Sequence, residues 1–600
     1  MRIHQPGSHL TDRRGAEVDD WSWARTMRRV ATLAQLTRPY RKRTILAVAS
    51  LLAAVGTALA PPYLAKLAID NGIAERDLTV LGLIVGAFLV AGLLNWAAGV
   101  AQTYYTGWVG ERILTDLRNR LFSHLQRLSL GFYERNRAGA VISRLTNDVD
   151  ALDRLVTEGV TSLFQNTLTL FGSAVILFLL DWRLALATLT VFPLMSIATA
   201  IFRRRSSRAY RRVRERLGLV TAALQEDISG MRVVHSFTRE ERNAEQFRRV
   251  NDDYRAANHE TVILNGLYFP FVDFLSSAAT SVVLGFGGYL VFDGSLTVGT
   301  LFAFIGYLSN FFDPVQQLSQ LYNTFLAAVA ALDKIIDVLD EAPDVIDRPG
   351  AVELPPIEGH VRFETVRFGY GDGPEVLHGI ALDVPAGTTV ALVGHTGAGK
   401  STIAKLLARF YDPREGSLTI DGHDLRDVTQ ETLRCQLGVV PQEGFLFAGT
   451  VRENIAFGRP EASKEEVESA ARAVGAHEFI CALEDGYGTH VAERGSRLSL
   501  GQRQLVAFAR ALLADPRILV LDEATSSVDI GTERRIELAL GRLLAGRTAF
   551  IIAHRLSTIR RADLIVVLEN GRIVEQGTHD ELVARRGQYL ALYGDWAAAA

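Results

Sequence analysis

The chain's clearest chemistry lies in nine residues, Gly394-His-Thr-Gly-Ala-Gly-Lys400-Ser401-Thr402. They follow an apolar run, Thr389 to Val393, and precede a helical pattern from Ile403 to Phe410. That is the strand–loop–helix context in which a glycine-rich loop cradles phosphates. Gly394, Gly397 and Gly399 let backbone N–H groups converge on phosphate oxygens without Cβ clashes, and the helix turns its positive end toward the anion. Lys400 is placed to reach β/γ-phosphates and Ser401 to ligate Mg²⁺, and Thr402, the last residue of the motif, is counted with the nucleotide-binding set.

Three further segments extend this chemistry. Ile518-Leu519-Val520-Leu521 reads as a buried strand ending in Asp522-Glu523. Asp522 there can hold Mg²⁺, directly or through water, and Glu523 can polarise an attacking water as general base. Tyr370 ends a strand pattern upstream of the loop, where it either stacks on adenine or packs as a core tyrosine. Leu498-Ser499-Leu500-Gly501-Gln502-Arg503-Gln504 opens a helix that runs to Leu513.

This last peptide resembles the signature of the ATP-binding-cassette (ABC) family, usually Leu-Ser-Gly-Gly-Gln, and other segments match in the same order. Gln442, in Val440-Pro-Gln-Glu443, resembles the Q-loop glutamine. Ser526-Ser-Val-Asp529 resembles the D-loop, Ile552-Ala-His554-Arg the switch histidine, and Glu493-Arg-Gly495 a short exporter motif before the signature. The resemblance implies an α/β P-loop nucleotide-binding domain using ATP and Mg²⁺, paired head-to-tail with the same domain of a second half-transporter chain, in a homodimer or a heterodimer. Each ATP would lie between Gly394–Thr402 of one chain and Ser499–Gln502 of the other. There the Ser499 hydroxyl and Gly501 N–H, at a helix start, can meet the γ-phosphate. The implied catalytic set is Glu523, His554 and Gln442; the implied metal set is Ser401, Gln442 and Asp522. Asp529 would belong to the same composite site. Leu500 departs from the family's glycine and puts the activity of the site it completes in question.

The elements that must position these residues fall into two halves. A chain of 600 residues implies two or more domains. A net charge of -3 argues against nucleic acid as a partner. Cys435 and Cys481 have no metal-ligand spacing and exclude a disulfide framework. They read as buried small side chains in a reducing compartment. Apolar residues concentrate before residue 330, in runs near the ~20 residues a bilayer requires. Thr44–Leu67, a run from Leu78, Val160–Leu180, Leu184–Phe202, Leu264–Phe292 and Thr300–Phe325 give an expectation of six helical spans.

Basic residues orient these spans. Arg38, Arg41, Lys42 and Arg43 lie on the same side as the arginines between Arg203 and Arg216. The opposite connections hold only Arg76 and Arg183. Both termini and the nucleotide-binding domain are therefore expected in the cytoplasm. From Leu78 to Leu130 there is no proline, so a helix of ~50 residues and ~75 Å would project beyond the bilayer as a stalk. Its turn, Phe132–Gly139, and a second near Ser229–Arg232 are expected to contact the soluble half. Asp273 and Asp313 lie inside spans, where carboxylates either line a cavity or pair within the bundle. Pro61, Pro62, Pro193 and Pro270 read as kinks.

The expected organisation is a cytoplasmic tail (1–35), a six-span α-helical transmembrane domain (36–340), a linker (341–357) and the ABC domain (358–600). The expected function is ATP-driven export of amphipathic or hydrophobic compounds, lipids or peptides by a dimeric half-transporter. Its setting would be a lipid bilayer, the bacterial plasma membrane. The alternatives are an exporter-fold importer of a metal–chelator complex and an ATP-gated channel.

Overall fold

The computed structural model describes residues 37–442, 444–492, 495–522, 530–553 and 555–599. Two compact units are present. One comprises the chain up to Gln126 together with Arg137–Glu341; the other comprises Arg127–Asn136 and Ala342 onward.

The first unit is helical. Its long elements are α1 (Arg41–Ala58), α2 (Leu78–Leu125), α3 (Val160–Leu180), α4 (Phe192–Ser229), α5 (Glu240–Phe292) and α6 (Val298–Leu339). Helix α2 runs unbroken for 48 residues, capped where Asp77 Oδ1 accepts from the Thr79 and Val80 amides. That length exceeds what the hydrocarbon requires and builds the expected stalk. Pro61 lies in the first turn of a new helix, Ala60–Leu67, and Pro193 in the first turn of α4. Both are positions where the missing N–H costs nothing. Pro270 and Pro314 lie inside α5 and α6.

Five helical stretches among the described residues are long and apolar enough to cross a membrane: Arg38–Ala74, Leu78–Leu125, Ala138–Leu180, Trp182–Ser229 and Glu240–Phe292. The expected sixth is present as helix α6 but falls short of that apolarity. Asn310, Asp313, Gln316 and Gln317 interrupt its hydrophobic run. Where α5 meets α6, the Gln316 amide donates to Asp273 Oδ1 at 2.9 Å.

The aromatic residues of α5 and α6 divide between the core and the surface. Tyr268, Phe304 and Phe312 are buried, whereas Phe271, Phe274 and Phe302 are exposed. Tyr268 stacks on Phe202 with ring centroids 3.9 Å apart. Farther along the stalk, buried Asp148 accepts from Arg144 at 2.8 Å and pairs with Lys334 at 3.5 Å. The second stalk turns at Gly230 through a short helix, Met231–Ser236, on which Val233 is exposed, as are the flanking Ile228 and Phe237.

The second unit is α/β. Its strands are β1 (Val361–Phe368), β2 (Leu377–Val384), β3 (Thr389–Val393), β4 (Glu415–Ile420), β5 (His423–Asp424), β6 (Leu437–Val440), β7 (Gly449–Thr450), β8 (His490–Val491), β9 (Ile518–Asp522), β10 (Thr548–Ile552), β11 (Leu564–Glu569) and β12 (Arg572–Gly577). An antiparallel sheet runs β2-β1-β4-β5, and the main sheet runs β12-β11-β3-β10-β9-β6. From β11 to β6 every pairing is parallel. The central strands are buried on both faces, as continuous apolar runs require. One core, around Phe363, Leu407 and Phe550, fills the space between the two sheets; a second, around Val506, Leu519 and Ile551, packs the other face. The expectation that the cysteines are buried fails: Cys435 and Cys481 are both free and exposed. On the short helix Gln430–Cys435 it is Leu433 that faces inward.

Candidate nucleotide site

The phosphate loop joins β3 to the helix Lys400–Leu407. Gly394, Gly397 and Gly399 have φ of 148°, 87° and 104°, a region that L side chains rarely adopt. A Cβ on Gly394 would sit 2.2 Å from the Leu568 carbonyl oxygen, and one on Gly399 would sit 2.7 Å from Leu377 Cδ2. The loop is thus pinned against neighbouring chain and keeps its concave side for a ligand.

Lys400 is 8% exposed. Its ammonium donates to the carbonyls of Gly394 at 2.7 Å and His395 at 3.0 Å. Burial pushes this ammonium below the usual lysine range, and the Asp522 carboxylate opposes that shift. Asp522 reaches the site through strand order and register. Leu392 on β3 is level with Ile552 on β10, which is level with Asp522 on β9. The carboxylate therefore stands two strands from the loop at the same height. A partly dehydrated ammonium, a glycine cradle and a carboxylate beside them form the donor set that a polyphosphate with a divalent cation requires.

Ser401 is exposed at the helix start, and Thr402 is buried. The Thr402 hydroxyl lies 3.0 Å from the Tyr370 hydroxyl. Tyr370 is half-buried, makes edge contacts with Phe368 and Tyr411, and carries Lys405 Nζ 5.3 Å from its ring centroid. Ser499 caps the helix Leu500–Ala514: its Oγ accepts from the Gln502 amide at 3.2 Å, and Gln502 Oε1 accepts from the Ser499 amide at 2.8 Å. Gly501 is buried in the first turn, and Leu500 is half-buried. Gln442 is exposed just past β6. Among the described residues, no hydrogen bond or ion pair joins Ser499, Gly501 or Gln502 to the phosphate loop. Glu523, Asp529 and His554 lie outside the described residues, as do Glu493 and the other D-loop positions from Ser526.

Sequence reasoning missed a cluster behind the loop. Glu134, in the segment Arg127–Asn136, accepts from Lys405 Nζ and from the Tyr411 hydroxyl, each at 2.8 Å. Beside it, Arg135 pairs with Asp344 at 3.1 Å. Burial alone would lower the Lys405 ammonium, but the Glu134 hydrogen bond and charge, with Tyr370, hold it above its usual range. Burial, then the Glu134 hydrogen bond, raises the Tyr411 phenol. Glu134 thus connects through Lys405 to Tyr370 and through Tyr370 to Thr402, inside the phosphate loop. Only the short peptide around Phe132 hinted at this.

These elements define a P-loop nucleotide-binding domain joined to an apolar helical unit. Residues 44–315 match the ABC transporter transmembrane region, and residues 377–526 match the ABC transporter domain. Bacillus subtilis YknV, described as an uncharacterized ABC transporter ATP-binding protein, is 42% identical over 95% of this chain and 94% of its own length. The ATP-dependent lipid A-core flippase of Syntrophus aciditrophicus is 41% identical over 94% and 93%. The structure of a bacterial Atm1-family ABC exporter with ATP bound aligns with a TM-score of 0.78 at 33% identity, covering 93% of this chain and 98% of that one. This chain belongs to the ABC transporter family. It is an ATP-hydrolysing membrane transporter with the exporter fold, and its half-transporter architecture implies a dimer.

Replacing Gly394 by alanine forces a Cβ into the Leu568 carbonyl. Overpacking of this kind costs about 1–3 kcal/mol, which corresponds to roughly 5- to 150-fold weaker binding of an ATP analogue in an equilibrium titration. Unchanged affinity would show that the loop yields freely and that its glycine is not required.

Proposed function

We propose that this chain is one half of a dimeric exporter that uses ATP and Mg²⁺ to move amphipathic or hydrophobic compounds, lipids included, across the bacterial plasma membrane. Six spans fill residues 36–340, residues 341–357 link them, and residues 358–600 form the cassette, with both termini in the cytoplasm. The sixth span is α6. Its polar positions turn toward a pathway rather than lipid, because a carboxylate such as Asp313 is costly against hydrocarbon. The name of the lipid A-core flippase among the relatives supports this substrate range.

The observation that carries the proposal is the seating of Glu134 on Lys405 and Tyr411. A peptide from between two apolar spans is bonded to the helix that begins at the phosphate loop. Nucleotide binding and movement of the stalks then share one set of contacts. Lys400 and the glycines hold the phosphates, Tyr370 takes the adenine, and Ser401, Asp522 and Gln442 hold Mg²⁺. Glu523 activates water, and His554 orients it. Ser499, Gly501, Gln502 and Asp529 act on the ATP of the partner chain.

Two apolar surfaces support the dimer. On the first unit, Ile228, Val233 and Phe237 are exposed at the second stalk turn. On the second unit, Phe445, Phe447 and Phe457 are exposed, the last two stacked with centroids 4.4 Å apart. A partner chain would cover both surfaces.

Glu523→Gln should bind ATP normally and lose steady-state phosphate release by about 10²–10⁴-fold, the range ascribed to a general base. Normal turnover by that variant would remove Glu523 from the role. Glu134→Gln breaks the ion pair with Lys405 and replaces no residue of the phosphate loop. Its basal ATPase should persist, while the response of ATPase to transported compounds should fall. Equal stimulation in wild type and variant would place the coupling elsewhere.

A further inference from the structure

The mouth of α1 and α2 holds a cation that the transport reading does not use. Arg43 stacks on Trp108 with its guanidinium carbon 3.5 Å from the ring centroid, and Arg112 approaches the same indole at 5.4 Å. Tyr40 meets Trp108 edge-on at 5.5 Å, and its hydroxyl donates to Asp116 at 2.7 Å. One terminal nitrogen of Arg43, Nη1, is buried and has no hydrogen-bond partner among the described residues. A guanidinium with one face on an aromatic ring and an edge nitrogen unsatisfied is costly unless an acceptor reaches it.

The depth of the site identifies the acceptor. No charged residue occurs from Thr44 to Ala65 on the first span, nor from Leu78 to Gly110 on the second. Trp108 lies roughly 30 residues past Leu78, about 45 Å along the helix. That distance crosses the hydrocarbon and reaches the far headgroup layer, where tryptophan concentrates. Arg43 is the last charge before the first apolar run, so the two residues meet at the level of lipid phosphates. Segments 38–43 and 108–116 together carry Arg38, Arg41, Lys42, Arg43 and Arg112 against only Glu111 and Asp116. Tyr40 already engages Asp116.

We propose that Arg43, held on Trp108 and flanked by Arg112, binds the phosphate of an anionic phospholipid in the cytoplasmic leaflet. The indole sets the plane of the guanidinium, the part of the half-buried Arg43 that stays open donates to a phosphate oxygen, and the surrounding positive charge selects a net-negative headgroup over a zwitterionic one.

Native mass spectrometry of the purified full chain tests this, with phosphatidylglycerol or phosphatidylcholine titrated into the detergent. Wild type should retain phosphatidylglycerol in preference to phosphatidylcholine. R43Q should lower that retention about fivefold, the effect of one surface cation, while R76Q, on the opposite side of the membrane, should leave it unchanged. Trp108→Leu keeps the charge but removes the platform, and it should lose the preference too, which decides the matter if R43Q does not fold. Equal retention of the two lipids by wild type would overturn the assignment, as would undiminished phosphatidylglycerol retention by R43Q or, if R43Q does not fold, by the Trp108 variant.

Discussion

A lysine ammonium held out of water governs the second unit. Lys400 is almost fully buried, and its nearest bonded partners are two carbonyls of its own loop. Carbonyl dipoles only partly replace hydration, so the site is poised for a stronger acceptor. The rest of the unit serves that arrangement. Three buried parallel strands bring Asp522 level with the loop, and the glycines let the backbone curl where any side chain would strike Leu568 or Leu377. A phosphate chain neutralised by a divalent cation satisfies both the ammonium and the carboxylate, which neither can do for the other in full.

The same loop is tied by short-range contacts to Arg127–Asn136, a segment that belongs to the second unit. Tyr370 bonds Thr402 on one side and meets Lys405 and Tyr411 on the other, and both of those reach Glu134. Glu134 sits in a peptide that the chain delivers from between long helices and that packs with the second unit. An ion pair between partly buried groups is sensitive to geometry, because either partner left alone in that setting is costly. A small shift of the helix Lys400–Leu407 is therefore felt at Glu134, and the reverse holds equally.

Much of this could be read from the residues. The phosphate loop, the carboxylate at the end of β9 and the capped helix at Ser499 follow local rules of pattern and turn chemistry, and such rules act over a few residues. The 48-residue helix was legible because its segment lacks proline. What was not legible depends on distant packing. Nothing near Glu134 announces Lys405 or Tyr411, which lie more than 250 residues away in the sequence. The exposure of Cys435 follows from which side of a six-residue helix faces the sheet. The sixth span was counted by length, and its interruption by Asn310, Asp313, Gln316 and Gln317 lowers its apolarity below that of the other five. Tyr370 bonds the loop through its hydroxyl, a contact that the strand pattern does not encode.

Whether two chains share each nucleotide is tested most directly by distributing two lesions between differently tagged partners. Lys400→Ala disables a phosphate loop, and Ser499→Arg disables a signature peptide. Placed on opposite chains of a purified dimer, they fall in the same composite site and leave the other intact. Placed together on one chain beside a wild-type partner, they damage both. Vanadate-trapped nucleotide should therefore persist in the first arrangement and vanish in the second. Trapping in the second arrangement and none in the first would mean that each chain completes its own site, and would contradict a nucleotide held between partners.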